Sequence, residues 1–544
     1  MDKPFAITLD PGSSLANHTG SWRTTRPVYV DRLPPCNHAC PAGENIQAWL
    51  FHAESGDYEA AWRELVKNNP LPAIMGRVCY HPCESACNRG SLDESVSIHA
   101  VERFLGDEAT KRGWIVAPGK DTGKRVLVVG AGPAGLSAAW HLRLAGHAVT
   151  IREAGPLAGG MMRFGIPKYR LPREVLDAEV QRILDLGVEL KLSSKIDDLQ
   201  ATMKEGGFDA CFLAVGAHLA KRAYIPAGDA DKILDAVSVL RGMEGAQSEE
   251  MRPLLGRRVV VYGGGNTAID VARTAKRLGA EESIIVYRRT REKMPAHDFE
   301  VEEALQEGVM MKWLSTIKEA GEASFTVEKM ALDENGFPQP TGEFETIEAD
   351  SLVLALGQDV DLGLLAVVPG LTLDNGSVQV NAGMMTGHAG IFAGGDMVAA
   401  ERTVTVAIGH GKKAARNIDA WLRGETYAPQ PKHEIATFDK LNTWYYMDAP
   451  KTVQPVLDII RRQGTFEEVL GGLDESNALF EARRCLSCGN CFECDNCYGV
   501  CPDNAVIKLG PGKRFRFNYD YCKGCGICVA ECPCGAIRVE AETV

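Results

Sequence analysis

Residues 125–142 read Arg125-Val-Leu-Val-Val129-Gly130-Ala-Gly132-Pro133-Ala134-Gly135-Leu-Ser-Ala-Ala-Trp-His-Leu142, an apolar run, a glycine turn and a helical pattern in immediate succession. Four apolar residues closed by glycine suit a strand buried on both faces, the mark of a parallel sheet. Gly130 permits the tight turn, Gly132 lets backbone approach a pyrophosphate, and Gly135 lets helix pack on strand. The helix start then offers free N–H groups and a positive dipole end to phosphates. Glu153 follows the next strand, His147 to Ile151, at about the twenty-residue offset where an acid binds a ribose hydroxyl. Glycine turns without a ligand exist, but this strand, helix and acid together predict a dinucleotide-binding βαβ unit.

The arrangement recurs at Val259 to Leu278, around Gly263-Gly264-Gly265-Asn266-Thr267-Ala268. Here the strand Ser283 to Tyr287 ends in Arg288-Arg289 instead of an acid. Arginine at this point accommodates a 2′-phosphate and predicts NADP(H), whereas stacking on adenine alone would leave NAD open. Gly357 directly follows a further strand, Ser351 to Leu356. Later in the chain, Gly394-Gly395-Asp396 places an acid after two small residues, where it can hold a flavin ribityl chain. A helix from about Thr405 can aim its positive end at the isoalloxazine. One site ending in Glu and one in Arg describe a flavoprotein that exchanges hydride with a nicotinamide.

Seventeen cysteines avoid this middle almost entirely: eleven lie from Cys485 to Cys534, five from Cys36 to Cys87, and Cys211 stands alone in an apolar strand. With no secretory signal they predict metal sites instead of disulfides. Cys491-x2-Cys494-x2-Cys497-x3-Cys501-Pro502 repeats as Cys522-x2-Cys525-x2-Cys528-x3-Cys532-Pro533. This is the bacterial two-cluster ferredoxin run, in which the fourth Cys of each motif serves the other cluster. The pairing predicts one [4Fe–4S] centre on Cys491, Cys494, Cys497 and Cys532, and another on Cys522, Cys525, Cys528 and Cys501. Zinc is the rival metal, but its structural sites use two separated pairs and not four cysteines ending in proline. With the frame anchored on Cys-Pro, Cys485, Cys488 and Cys534 read as spare thiols. Near the start, Cys36-x3-Cys40-Pro41 and Cys79-x3-Cys83-x3-Cys87 supply five thiols, enough for one all-cysteine cluster and not for two; His38 and His81 read as neighbours and not ligands.

At 544 residues the chain exceeds a single core, and roughly three or four domains are expected. The boundaries read as a helical iron–sulfur domain over 1–118, a flavin domain over 119–255 and 357–428, a nicotinamide domain over 256–356, a connector over 429–480 and a ferredoxin domain over 481–544. Within the first, Ile46 to His52 and Tyr58 to Val66 have helical spacing, broken by Asn68-Asn69-Pro70. The fold class is α/β: two Rossmann-like units flanked by a helical iron–sulfur domain and an α+β bacterial ferredoxin-like domain. A formal charge of −13 opposes a nucleic-acid surface. No apolar run reaches a membrane span, and Met1 to Pro4 leads into no signal-peptide core, so the chain reads as cytoplasmic.

Cys40-Pro41, Gly76-Arg-Val-Cys79, Cys83-Glu84, Cys87, Gly159-Gly160-Met161-Met-Arg-Phe-Gly165-Ile-Pro167-Lys-Tyr-Arg170-Leu-Pro172, Tyr287-Arg288-Arg289 and Met294-Pro295-Ala296 together resemble the glutamate synthase small (β) subunit family. That family includes the flavin half of dihydropyrimidine dehydrogenase and the large subunit of NADH-dependent ferredoxin:NADP oxidoreductase. The resemblance spans about residues 30 to 425. It implies FAD at Gly130, Gly132, Gly135, Glu153, Gly160, Asp396 and the turn around Val406, and nicotinamide at Gly263, Gly265, Asn266, Thr267, Arg288 and Arg289. Pro133, Ala134, Met161, Arg170, Gly395, Thr405, Gly264 and Gly357 complete the candidate set. It also implies a cluster on Cys40, Cys79 and Cys83 with Glu102 as a non-cysteine ligand. Cys36 and Cys87 match two ligands of a second cluster whose Cys-x2-Cys pair, expected before Cys36, is absent.

The ferredoxin tail departs from a plain glutamate synthase subunit and looks like the electron-input subunits of 2-oxoacid or aldehyde oxidoreductases. The expected function is electron transfer between NAD(P)(H), FAD and [4Fe–4S] clusters, to or from ferredoxin or a partner redox subunit. With the cofactors supplying the chemistry, no acid, base or nucleophile is assigned. A glutamate synthase small subunit and a non-catalytic redox adaptor are the alternatives.

Overall fold

Two five-stranded parallel sheets form the body. In the first the order is Ile391–Ala393, Ala210–Leu213, Arg125–Val129, Ala148–Arg152, Glu189–Lys191. In the second it is Ile233–Asp235, Ser351–Leu354, Arg258–Tyr262, Glu282–Val286, Met310–Lys312. The central strands are apolar because both faces are covered: Val126, Leu127, Val128, Val259, Val260 and Val261 are all fully buried. The computed structural model describes residues 17–542 apart from 222–224, 226–232, 246–248, 322 and 366–367, so Met1 to Pro4 lies outside the described residues.

The helix Pro133–Leu144 packs on Val404–Leu422, whose Ile408 carbonyl accepts a hydrogen bond from Ser137 Oγ at 2.8 Å. The long return of the chain to the first sheet is thereby locked against the first glycine-loop helix. An antiparallel ribbon of Leu219–Ala220 with Gln358–Asp359 joins the two units. One expected boundary is corrected: the second unit does not begin at 256, because Ile233–Asp235 is already its edge strand, paired with Ser351–Leu354. Hydrogen bonding to a strand more than a hundred residues later assigned it, and nothing local announces that. A three-stranded antiparallel insert, Ser315–Ala320, Ser324–Leu332 and Pro338–Glu348, packs through Ile317, Phe325 and Val327 against Val260 and Leu352.

The N-terminal cap contains the helices Ile46–Glu54, Tyr58–Val66, Pro72–Val78 and Ile98–Arg112. Their core of Ile46, Trp49, Leu50, Leu65 and Leu105 is joined by Leu473, Ala478 and Ala482, which belong to the helix Glu475–Arg483 and its approach. At the other end of the chain, Thr25–Tyr29 pairs antiparallel with Ile537–Ala541, in register from Thr25 opposite Ala541 to Tyr29 opposite Ile537. Each terminal module thus contains an element from the opposite end of the chain. The stretch 429–480 is pinned between them and the second unit. Lys451 Nζ reaches Glu84 at 2.6 Å, and Arg462 Nε reaches Glu307 at 3.2 Å.

Candidate functional site

Both glycine loops open on one cleft of about 1460 Å³. Gly130 (φ +106°) and Gly263 (φ +150°) do the same work in the two sheets: a Cβ would overlap the carbonyl oxygen of Ala214 at one and of Ala355 at the other. Only glycine lets the loop cross so close to the neighbouring strand's end. Across the first loop, Gly160 (φ +51°) brings its backbone against Gly132, and an added Cβ would stand 2.8 Å from Gly132 Cα. The space beside Gly265 is open, with nothing within 4 Å of its Cβ position. These are cradles that a pyrophosphate fits and side chains would fill.

Glu153 is oriented by the loop it serves: Oε2 accepts the Ala131 N–H at 2.8 Å and Oε1 the Gly155 N–H at 2.7 Å. Asp396 lies on the same wall, where burial raises its carboxyl pKa against the pull of Arg402 and His218. Beside the second glycine loop, Asn266, Thr267, Tyr287, Arg288 and Arg289 line the cleft, and Arg289 Nε is buried with no hydrogen-bond partner. Pro133, Ala134, Met161, Gly264, Gly357 and Gly395 also line it.

Three candidates sit differently from expectation. Arg170 lines the cleft, but its guanidinium is held by Asp270 at 2.9 Å and Glu300 at 2.5 Å, a buried clamp between the two units. Thr405 gives its Oγ1–H to Cys79 Sγ at 3.2 Å, and the Val406 N–H goes to the capping Thr403 Oγ1 at 3.2 Å. Thr403, Val404 and Ala407 line the cleft in their place. A helix start presents successive residues to different sides, so a one-residue offset exchanges which wall each one faces.

Cys79 ends the helix Pro72–Val78, and both its neighbours, Val78 and Tyr80, line the cleft. The Tyr80 hydroxyl accepts from Asn266 Nδ2 at 2.6 Å, and its ring stacks on His297 at 3.7 Å. The loop carrying one candidate cluster ligand thus touches the second glycine loop directly. Spacing did not reveal Tyr80 or His297, because they meet only across the interface of cap and second unit.

Behind Cys79, the thiols of Cys40, Cys79 and Cys83 face one another and the carboxyl of Glu102. Burial pushes all three thiols up, Cys79 to about 12, and raises the Glu102 carboxyl. As thiolates they need a bound cation to offset that cost. Backbone N–H groups already point at them, His81 to Cys79 Sγ at 3.3 Å among them. Asn69 Nδ2 donates to Glu102 at 2.7 Å and to Glu44 at 3.0 Å. His38 is exposed, and the His81 ring stacks on His99 at 4.0 Å.

In the tail Cys497 faces Cys491, Cys494 and Cys532, while Cys522 faces Cys501 and Cys525, with Cys528 beside them. The internal repeat shows in the hydrogen bonds: Ala505 N–H reaches Cys501 Sγ at 3.2 Å, and Ala536 N–H reaches Cys532 Sγ at 3.3 Å. Asp495 (φ +67°) and Gly526 (φ +76°) start the two matching helical turns. Among the described residues no three His, Cys, Asp or Glu side chains converge on a single ion. Thiolates of a four-iron cluster each meet a different iron and stand further apart than those around one zinc. Cys534 lies with its sulfur 3.8 Å from Cys532 Sγ, and Cys485 and Cys488 face Cys36 and Cys87.

Residues 124–411 match the pyridine nucleotide-disulphide oxidoreductase family, residues 25–114 the dihydropyrimidine dehydrogenase domain II with a 4Fe-4S cluster, and residues 515–538 the 4Fe-4S binding domain. The chain is 36% identical over 501 residues to the β subunit of NADP(+)-dependent formate dehydrogenase of Moorella thermoacetica, covering 84% of this chain and 70% of that one. It is 34% identical over 519 residues to the β subunit of NADPH-Fe(3+) oxidoreductase of Geobacter sulfurreducens, covering 85% and 76%. To the glutamate synthase [NADPH] small chain of Escherichia coli it is 33% identical over 419 residues, covering 72% and 89%.

Proposed function

Because this chain belongs to the pyridine nucleotide-disulphide oxidoreductase family and carries 4Fe-4S domains toward both ends, we propose that it is the NADP(H)-linked electron-transfer subunit of a larger redox enzyme. The observation that carries this reading is the single cleft into which both glycine loops open, with the Cys79 loop forming part of its wall. FAD bound there would take hydride from the nicotinamide and release electrons singly. Gly130, Gly132, Gly160 and Glu153 hold and orient the flavin nucleotide, and Asp396 holds its ribityl chain. Asn266, Thr267, Arg288 and Arg289 hold NADP(H). Tyr80, hydrogen-bonded to Asn266, fixes the distance between the nicotinamide loop and Cys79.

The relatives support the wider assignment, two of them being named β subunits of NADP(H)-linked enzymes. The tail is the contact to ferredoxin or to a partner redox subunit, and its thiols suit the reducing cytoplasm. No helix among the described residues is long and apolar enough to cross a membrane. The test is anaerobic: NADPH added to the purified chain bleaches the flavin absorbance and then reduces the iron–sulfur centres in sequence. A flavin that stays oxidised under excess NADPH and NADH refutes the assignment.

A further inference from the structure

Cys36, Cys87, Cys485 and Cys488 line one small cavity between the helical cap and the segment that leads into the tail. The four sulfurs come from chain positions some four hundred residues apart. The Cys36 thiol lies within electrostatic reach of Cys485, Cys87 and Cys488. The backbone is fixed around them: Gly489 (φ +76°) lies so close to the entering chain that a Cβ would stand 2.5 Å from Arg32 Cβ and 2.9 Å from Ala436 Cβ. Its carbonyl accepts the Arg32 N–H at 3.0 Å, and its own N–H goes to the Cys534 carbonyl at 2.6 Å.

Donors converge on the sulfurs as well. Asn88 Nδ2 points at Cys488 Sγ at 3.4 Å while also bonding the Ala436 carbonyl at 2.7 Å. The Ser487 N–H points at Cys485 Sγ at 3.4 Å. Backbone N–H groups of Arg89, Gly90 and Val96 lie near the Cys87 thiol and that of Asn37 near the Cys36 thiol, whose Sγ also stands 3.6 Å from Asn37 Oδ1. Neutral thiols are weak acceptors that do not call for such a shell, whereas buried thiolates on a cluster do. All four are free cysteines.

We propose that Cys36, Cys87, Cys485 and Cys488 hold a [4Fe–4S] cluster whose ligands come from both ends of the chain. This rests on the electron-transfer reading above and adds a fourth centre to it. Cys36 lies in the helix Pro35–Ala39 and Cys40 directly follows it, and Cys488 is three residues before Cys491. The site therefore links the Cys40, Cys79 and Cys83 set beside the cleft to the first tail set. Each hydride supplies two electrons and one proton; the electrons cross this site one at a time and leave it unchanged, and the proton goes to solvent.

The experiment counts iron and acid-labile sulfide on the anaerobically purified full chain and quantifies spins in the dithionite-reduced protein. The wild type carries about sixteen irons, four for each of four clusters. The Cys485→Ser/Cys488→Ser double variant and Cys36→Ser each lose about four, retain FAD, and still bleach with NADPH. Cys211→Ser loses none. A wild type with about twelve irons, together with a double variant that loses none while Cys83→Ser loses about four, overturns this site and leaves the cap cluster standing. No loss in either Cys83→Ser or the double variant removes both. If the double variant does not fold, single Cys488→Ser decides: serine can retain the iron through oxygen, and one paramagnetic centre changes its g values. An unchanged spectrum with unchanged iron overturns the proposal.

Discussion

Arg288 is exposed and Arg289 half-buried at the mouth of the second loop, so both can meet a ligand phosphate at small desolvation cost. Replacing both with Ala raises the Michaelis constant for NADPH by about tenfold or more, the worth of a charge-assisted hydrogen bond, and that for NADH far less. Steady-state kinetics with the two nucleotides checks this, and equal effects on both would remove the 2′-phosphate assignment. At the far end of the molecule, the Tyr29 hydroxyl lies 3.3 Å from Cys497 Sγ. A thiolate on a cluster can only accept, so the tyrosine donates and stabilises the reduced, more negative state. Tyr29→Phe therefore lowers the potential of one tail centre by about 20–40 mV, the one-electron equivalent of a hydrogen bond worth about 0.5–1 kcal/mol. A redox titration followed by EPR measures it. The Cys-Pro repeat was readable by spacing alone, but Tyr29, 468 residues from Cys497, was not.

Among elements, the strand, loop and helix units were legible because the glycine requirement is local: Gly130 and Gly263 each clear a carbonyl at the end of an adjacent strand. The helix at Val404–Leu422 was legible as an element, whereas which residues face the cleft depended on its rotation against Pro133–Leu144. Arg170 shows the same limit, since its partners Asp270 and Glu300 belong to another unit. The connector helix Ile459–Gly464 is held through Glu307, fully buried among Arg273, Arg277 and Arg462. Against burial, which raises it, the Arg277 and Arg273 guanidiniums hold the Glu307 carboxyl down to about 2, from an ordinary 4.5. A carboxylate with a depressed folded pKa adds stability above about pH 4.5 and loses it as pH falls toward 2. Glu307→Gln strands buried positive charge and costs about 3–5 kcal/mol at neutral pH. Denaturant unfolding at pH 7 shows that loss, and the gap between variant and wild type narrows as the pH drops below 4.5.

For the whole molecule, the proposed route takes electrons from a cleft between two Rossmann units to a tail joined to the cap by the strand pair Thr25–Tyr29 and Ile537–Ala541. Cys497→Ser or Cys528→Ser removes a thiolate from a tail centre and leaves the cleft untouched. Flavin reduction by NADPH therefore proceeds at the wild-type rate in stopped flow, while transfer to ferredoxin or to the co-purifying partner falls at least tenfold. A small dye that reaches the flavin directly is reduced as before. Full-rate transfer to the partner would move the exit away from the tail. The amino-acid sequence by itself determined whatever depends on residues within one turn, one βαβ unit or one cysteine run: two dinucleotide loops, the acid at Glu153, the arginines at 288 and 289, and the eight-cysteine repeat. Only the tertiary structure decided that Ile233–Asp235 belongs to the second sheet, that Thr25–Tyr29 belongs with the tail, and that Cys485 and Cys488 face Cys36 and Cys87. Those pairings join segments far apart in the chain, and it is hydrogen bonding and packing between folded elements, not local spacing, that selects one partner among many.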